Sequence, residues 1–233
     1  MKFFLKLKIK KLFFFLNKFK GFLIIEIFRR FPGVKRYQPI YNAKESLKVT
    51  RACLDRWKVI QKKLPLKKKS VLDIGSNIGF FTFKFAENNF LAHGIESDIL
   101  SVLVSESIKQ KNQVQNVFFS LETVDEVFIK KMPKYQIVNN LSVFHHWVKR
   151  YGDKKALRML SYLVKHCDYM FFETGQVNEV DMEWSKLLKF MKNDPESWVI
   201  NTLKKFGFRD VLCIGQFNTG LSNVKRNLFF AKK

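Results

Sequence analysis

The stretch SVLDIGSNIGFFTFKFA, residues 70–86, decides how the rest of the chain is read. It runs from an apolar strand with an acid, Asp73, near its end, through a turn bounded by Gly75 and Gly79, into an amphipathic helix. Glycine at the two turn positions lets backbone approach a ligand where a Cβ would collide, and a helix that starts there presents unpaired N–H groups. Asp73 adds a negative group suited to an ammonium. The spacing matches neither GxxxxGK[ST] nor GxGxxG, so a phosphate cradle is disfavoured. About 20 residues on, HGIESD ends a second strand at Glu96, where a carboxylate can hold both hydroxyls of a ribose.

Outward from this core, short apolar runs alternate with longer amphipathic ones, the pattern of a mostly parallel sheet covered by helices on both faces. Strands are expected at 70–74, 91–96, 116–120, 135–139 and 169–173, and helices at 79–88, 99–111, 123–131 and 153–166. A helix from Pro195 to just before Gly207 leads to two final strands, 210–216 and 226–232, joined by a loop long enough for a wide antiparallel hairpin. Residues 37–66 read as helical, with Leu47, Ala52, Leu54, Trp57 and Ile60 as the apolar side.

VLDIGSNIG followed by HGIE resembles the first two motifs of the class I S-adenosylmethionine-dependent methyltransferases. The resemblance extends over residues 70–232 in the order of elements. It implies a Rossmann-like α/β fold with a mostly parallel seven-stranded sheet and an antiparallel final strand. It also implies S-adenosylmethionine as cofactor, with Asp73, Gly75, Ser76, Asn77 and Gly79 around its methionine end and Glu96 on its ribose. Asn77 stands where the family usually has Gly, and Asn tolerates left-handed backbone better than most residues. In SLETVDEV, Glu122 is a candidate adenine contact, or else an acid that opens the next helix.

The fourth strand runs into YQIVNNLSVFHHW, whose end faces the transferable methyl in such a fold; Asn140 there is a further candidate for the donor pocket. His146 and His145 can take a proton from an acceptor near neutrality. The segment resembles the VLEH-type stretch of small-molecule methyltransferases, which implies His146 as the matching histidine. Glu173, at the end of the fifth strand, is a third candidate, against the reading of an ordinary rim acid. Residues 177–194, with Met182, Trp184 and Met191, read as a lid or selectivity element, or as packing. Leu141, Ser142, Val143, Gly152 and Asp153 also resemble a motif of RNA 5′-phosphate methyltransferases. Asn139 and Asn140 lack a following Pro-Pro-aromatic, which argues against amino-directed base methylation of the NPPY type.

The 233 residues suit one domain and an appendage, and 47% hydrophobic content excludes disorder as the main state. The net charge of +23 suggests an anionic neighbour, although 34 Lys against 9 Arg is not the usage of a bidentate phosphate reader. Residues 1–36 carry +10 of that charge as Lys interleaved with Phe, Leu and Ile, while 37–233 form the catalytic domain. Their longest uncharged run, 12–17, is far short of the roughly 20 residues that span a bilayer, and neither an unbroken apolar core nor a cleavage site marks a signal peptide. Residues 1–31 therefore read as a segment for an anionic membrane surface, for packing on the chain's own domain, or for nucleic acid. Three widely spaced cysteines fit neither a disulfide framework nor a metal knuckle and suggest a reducing, cytoplasmic setting. The expected activity is methyl transfer to an oxygen, less readily a nitrogen, of a small-molecule, glycan or membrane-proximal acceptor. The alternatives are an RNA acceptor and a noncatalytic donor-binding module.

Overall fold

The computed structural model describes Gly21, Leu23, Ile25, residues 37–43 and residues 52–233. Seven strands, β1 (Ser70–Ile74), β2 (Leu91–Glu96), β3 (Val117–Leu121), β4 (Tyr135–Leu141), β5 (Cys167–Glu173), β6 (Asp210–Phe217) and β7 (Arg226–Lys232), form one sheet. Its order is β3-β2-β1-β4-β5-β7-β6. The strands up to β5 pair in parallel, and β7 runs antiparallel to both β5 and β6. The chain steps outward one way from β1 to β3 and the other way from β4 to β5. The crevice above β1 and β4 is therefore the switch point where α/β sheets take ligands.

The helices are α1 (Cys53–Gln61), α2 (Phe80–Glu87), α3 (Ile99–Asn112), α4 (Glu126–Lys131), α5 (Phe144–Tyr151), α6 (Asp153–Lys165) and α7 (Pro195–Phe206). Adjacent strand residues feed opposite faces, as a pleated sheet requires. Leu72, Val138 and Phe172 pack under α5, α6 and α7, whereas Val71, Ile137 and Phe171 pack under α1, α2 and α3. With both faces covered, the central strands are apolar throughout rather than alternating. Helix α2 explains the run of phenylalanines: Phe80, Phe81, Phe83 and Phe85 are all buried, and Thr82 turns to Asp73. Helices α3, α4 and α7 each begin on an aspartate, Asp98, Asp125 or Asp194, whose carboxylate accepts a first-turn N–H.

Several sequence expectations shift. Strand β4 extends to Leu141, and residues 144–151, not among the expected helices, form α5, which the buried Phe144, Trp147 and Val148 hold against α6. Helix α4 starts at Glu126 and not at 123, so Glu122 opens no helix. In the region 37–66 the described helix is confined to Cys53–Gln61, and its inner side is Cys53, Arg56, Trp57 and Ile60; Leu54 is 57% exposed. Leu47 and the basic segment 1–36 lie outside the described residues, except for Gly21, Leu23 and Ile25. Ile25 is 2% exposed, in the same core layer as Trp57, Val104 and Ile108, while Leu23 faces outward. No described helix is long and apolar enough to cross a membrane.

Candidate active site

The turn after β1 is built for close approach. Gly75, Asn77 and Gly79 have φ of +68°, +51° and +84°, so the left-handed geometry that the Gly-to-Asn difference called for is present at Asn77. A Cβ on Gly75 would lie 2.7 Å from Val143 Cγ2, and one on Gly79 would lie 2.6 Å from the Phe119 ring. Backbone N–H groups of Gly75 and Ser76 donate to the Ile95 carbonyl at 2.8 and 3.0 Å, locking the turn to β2. The start of α2 is less open than its sequence suggests, because Gln38 Oε1 accepts from Phe80 N–H at 3.0 Å.

Glu96 lies across this turn at the end of β2. Its Oε2 accepts from Asn77 N–H at 2.9 Å, and its Oε1 accepts from Ser97 and Asp98 N–H at 2.7 and 2.9 Å. Three backbone N–H groups thus fix the carboxylate, and Oε2 keeps acceptor capacity toward the adjoining cavity. Asp73 sits below the cavity wall at 3% exposure, with Oδ2 accepting from Thr82 Oγ1 at 2.6 Å and Oδ1 from Asn139 Nδ2 at 2.7 Å. Burial raises its carboxyl to about 6 against those two hydrogen bonds. Asp73 therefore braces the turn from beneath.

A cavity of about 550 Å³ connects this turn to the end of β4. Gly75, Asn77, Glu96 and Glu122 line one end, and Ser142, His145, His146, Arg150 and Trp184 line the other. Ser76 is fully buried with an unpartnered hydroxyl, and Asn140 is fully buried with both amide atoms unpartnered; neither lines the cavity. Glu122, in the loop after β3, does line it, with Oε1 accepting from Thr123 N–H.

The two histidines differ. His145 is buried, and its Nδ1 accepts from Gly175 N–H at 2.9 Å, so the neutral ring carries its hydrogen on Nε2 and acts as a donor there. His146 is exposed at the cavity wall, with its ring 4.2 Å from that of His145. Trp184, from the segment between β5 and α7, packs 4.7 Å from the His145 ring. Of the other members of that segment named above, Met191 is core.

Glu173 is drawn away from the cavity. It is fully buried, accepting from Arg56 Nε and from Ser142 Oγ, both at 2.6 Å. Beside it Arg226 makes a fork to Glu179, with Nε to Oε1 and Nη2 to Oε2 each 2.7 Å, and its Nη1 donates to Ser142 Oγ at 3.1 Å. Burial would lower the Arg226 guanidinium, but Glu179 and Glu173 outweigh it and hold it above its ordinary value. Arg56, Glu179 and Arg226 were not legible in the sequence, since an isolated arginine or glutamate reads as a solvated surface charge.

The sheet order, with one reversed strand beside β5, together with the glycine turn and Glu96 over the switch point, leaves one fold family. The chain has the fold of the class I S-adenosylmethionine-dependent methyltransferases. No family model matches it. Its curated relatives include the O-antigen chain terminator bifunctional methyltransferase/kinase WbdD of Escherichia coli, 26% identical over 161 residues, which are 69% of this chain and 21% of WbdD. A crystal structure of WbdD superposes with a TM-score of 0.76 at 23% identity, over 90% of this chain and 46% of that one. The N-terminal domain of EvdMO1 with SAH bound gives 0.55 at 11% identity, over 76% and 79% of the two chains. Magnesium protoporphyrin IX methyltransferase (ChlM) from Synechocystis PCC 6803 with bound SAH gives 0.54 at 16%, over 77% and 80%. The chain thus spans about a fifth of the curated relatives' length and somewhat under half of the WbdD chain in the crystal.

Proposed function

We propose that this methyltransferase transfers a methyl group from S-adenosylmethionine to an oxygen of a glycan or related small-molecule acceptor. The observation that carries the reading is the single cavity that joins the Gly75–Glu96 turn to the His146 rim. The residues fit the donor: the turn leaves no room for a Cβ at Gly75, and Glu96 is held by backbone N–H groups on the cavity wall with acceptor capacity left at Oε2 for the ribose. Neighbours of the same fold carry SAH, which supports the same donor here. Bound in this cavity, the donor supplies an electrophilic methyl group.

The acceptor end must align a hydroxyl and remove its proton. His146, exposed on the cavity wall, takes that proton as the new O–C bond forms and the S–C bond breaks. His145 orients the acceptor by donating from Nε2, since its Nδ1 is occupied by Gly175 N–H. Trp147 and Trp184 narrow the space that water could share. A glycan-type acceptor is favoured by the similarity to WbdD, an O-antigen chain terminator. A second reading, an RNA 5′ end, draws on the +23 charge and on Arg150 at the cavity wall.

Incubation with donor labelled on its methyl group and a cell extract split into glycan, RNA, protein and small-molecule fractions tests both readings. Label in the glycan fraction, alkali-stable as an ether, is the expected result. Label confined to RNA would replace it with the second reading, and label in no fraction, in a protein that binds SAH, would overturn methyl transfer altogether.

A further inference from the structure

The buried charges beside the cavity have a geometry that packing alone does not require. Arg226 is wholly buried, and its one guanidinium meets two cavity-lining elements. Toward β4, its Nη1 donates to Ser142 Oγ, and Ser142 is a non-glycine residue at φ +62° whose hydroxyl also donates to Glu173. A side chain held in that strained region persists only where its surroundings over-determine it. Toward the 177–194 segment, Arg226 grips Glu179 with both remaining nitrogens, and Glu179 Oε2 in turn accepts from Trp184 Nε1 at 3.3 Å. The guanidinium also lies 5.2 Å from the Trp184 ring.

Trp184 is seated tightly on its other side. A Cβ on Gly175 would come 2.6 Å from Trp184 Nε1 and 3.0 Å from His145 Cγ, so the indole lies directly on the rim backbone that also fixes His145. Ser142 and Trp184 both line the cavity, and both touch Arg226.

We propose that Arg226 is the positioning residue for the acceptor half of the cavity, setting Ser142 directly and Trp184 through Glu179, and that Trp184 is the wall against which the acceptor ring rests. The proposal rests on the methyl-transfer reading above. It assigns the acceptor a flat, weakly polar face, as the C–H face of a pyranose offers to an indole. Only arginine supplies this geometry: lysine keeps the charge but cannot reach Ser142 and both oxygens of Glu179 at once.

The test uses the full chain labelled with 5-fluorotryptophan, whose four ¹⁹F resonances are sorted by Trp184→Phe. Arg226→Lys should move or broaden the Trp184 resonance and leave those of Trp57 and Trp198 in place. Calorimetry with SAH as probe should give donor affinity within about twofold of the parent, while the glycan fraction needed for half-maximal labelling rises about tenfold or more. If Arg226→Lys does not fold, Glu179→Gln removes one arm of the fork and should give the same pattern more weakly. In the Trp184→Ala background the effect of Glu179→Gln on half-saturation should shrink, as expected for residues acting in one chain. An unmoved Trp184 resonance, a loss of donor affinity in step with half-saturation, or full additivity in the cycle would each overturn the proposal. Failure of methyl transfer itself would instead appear as no label with the parent protein, and the fluorine spectra would still decide whether Arg226 sets Trp184.

Discussion

Asp73→Asn is the substitution whose outcome the structure specifies most closely. The carboxylate is buried beneath the glycine turn, held by Thr82 and Asn139, and its pKa is raised from 3.8 to about 6 because burial outweighs both hydrogen bonds. An acid with a raised native pKa binds its proton more tightly folded than unfolded. Across the window from 3.8 to about 6 the native state keeps a proton that the unfolded chain has released, so stability falls as pH rises and levels off above about 6. At 1.36 kcal/mol per pH unit the whole window is worth about 3 kcal/mol, of which about 2 lies above about pH 4.5. Asn at this position does not titrate, and its amide can donate to Thr82 Oγ1 while its carbonyl accepts from Asn139. Urea unfolding of both proteins from about pH 4.5 to about 7.5 should therefore show the stability difference moving by about 2 kcal/mol in favour of the Asn variant as pH rises. Parallel pH–stability curves would refute the claim that Asp73 is a desolvated brace.

Glu96→Ala removes acceptors for the ribose and frees three backbone N–H groups; SAH affinity measured by calorimetry should fall by about 1.5–3 kcal/mol per charge-assisted bond lost. His146→Ala should leave SAH affinity unchanged and lower single-turnover methyl transfer about 100-fold, whereas a change of only a few-fold would pass the proton to another group. Residues 1–20 are proposed to meet anionic lipid, and because Ile25 belongs to the core, removal should stop before Gly21. Chains lacking 1–20 should fold and bind SAH but no longer sediment with anionic vesicles, while the parent's binding should weaken without vanishing as salt rises. Equal sedimentation of the shortened chain would place any lipid contact elsewhere.

What the sequence determined by itself was everything that depends on local pattern. The alternation of apolar runs is fixed by burial of central strands on both faces, so the strands Ser70–Ile74, Leu91–Glu96 and Arg226–Lys232 could be read to the residue. The glycine turn and Glu96 were legible because close backbone approach and ribose recognition demand particular residue types at particular spacings. Asn77 was readable for the same reason: few side chains accept its φ of +51°. What the tertiary structure alone decided was which charged groups face the cavity. Glu173 and Glu122 look alike in sequence, each an acid closing or following a strand, yet Glu122 lines the cavity and Glu173 is consumed by Arg56 and Ser142. Helix α5 hid for a related reason, its inward residues gaining their anchor from distant elements, as Phe144 does from Phe172 of β5 and Trp198 of α7. Pairings such as Arg56 with Glu173 and Arg226 with Glu179 span 117 and 47 residues of chain. No local periodicity encodes them, because the partner that makes burying such a charge tolerable arrives only when the sheet closes around it.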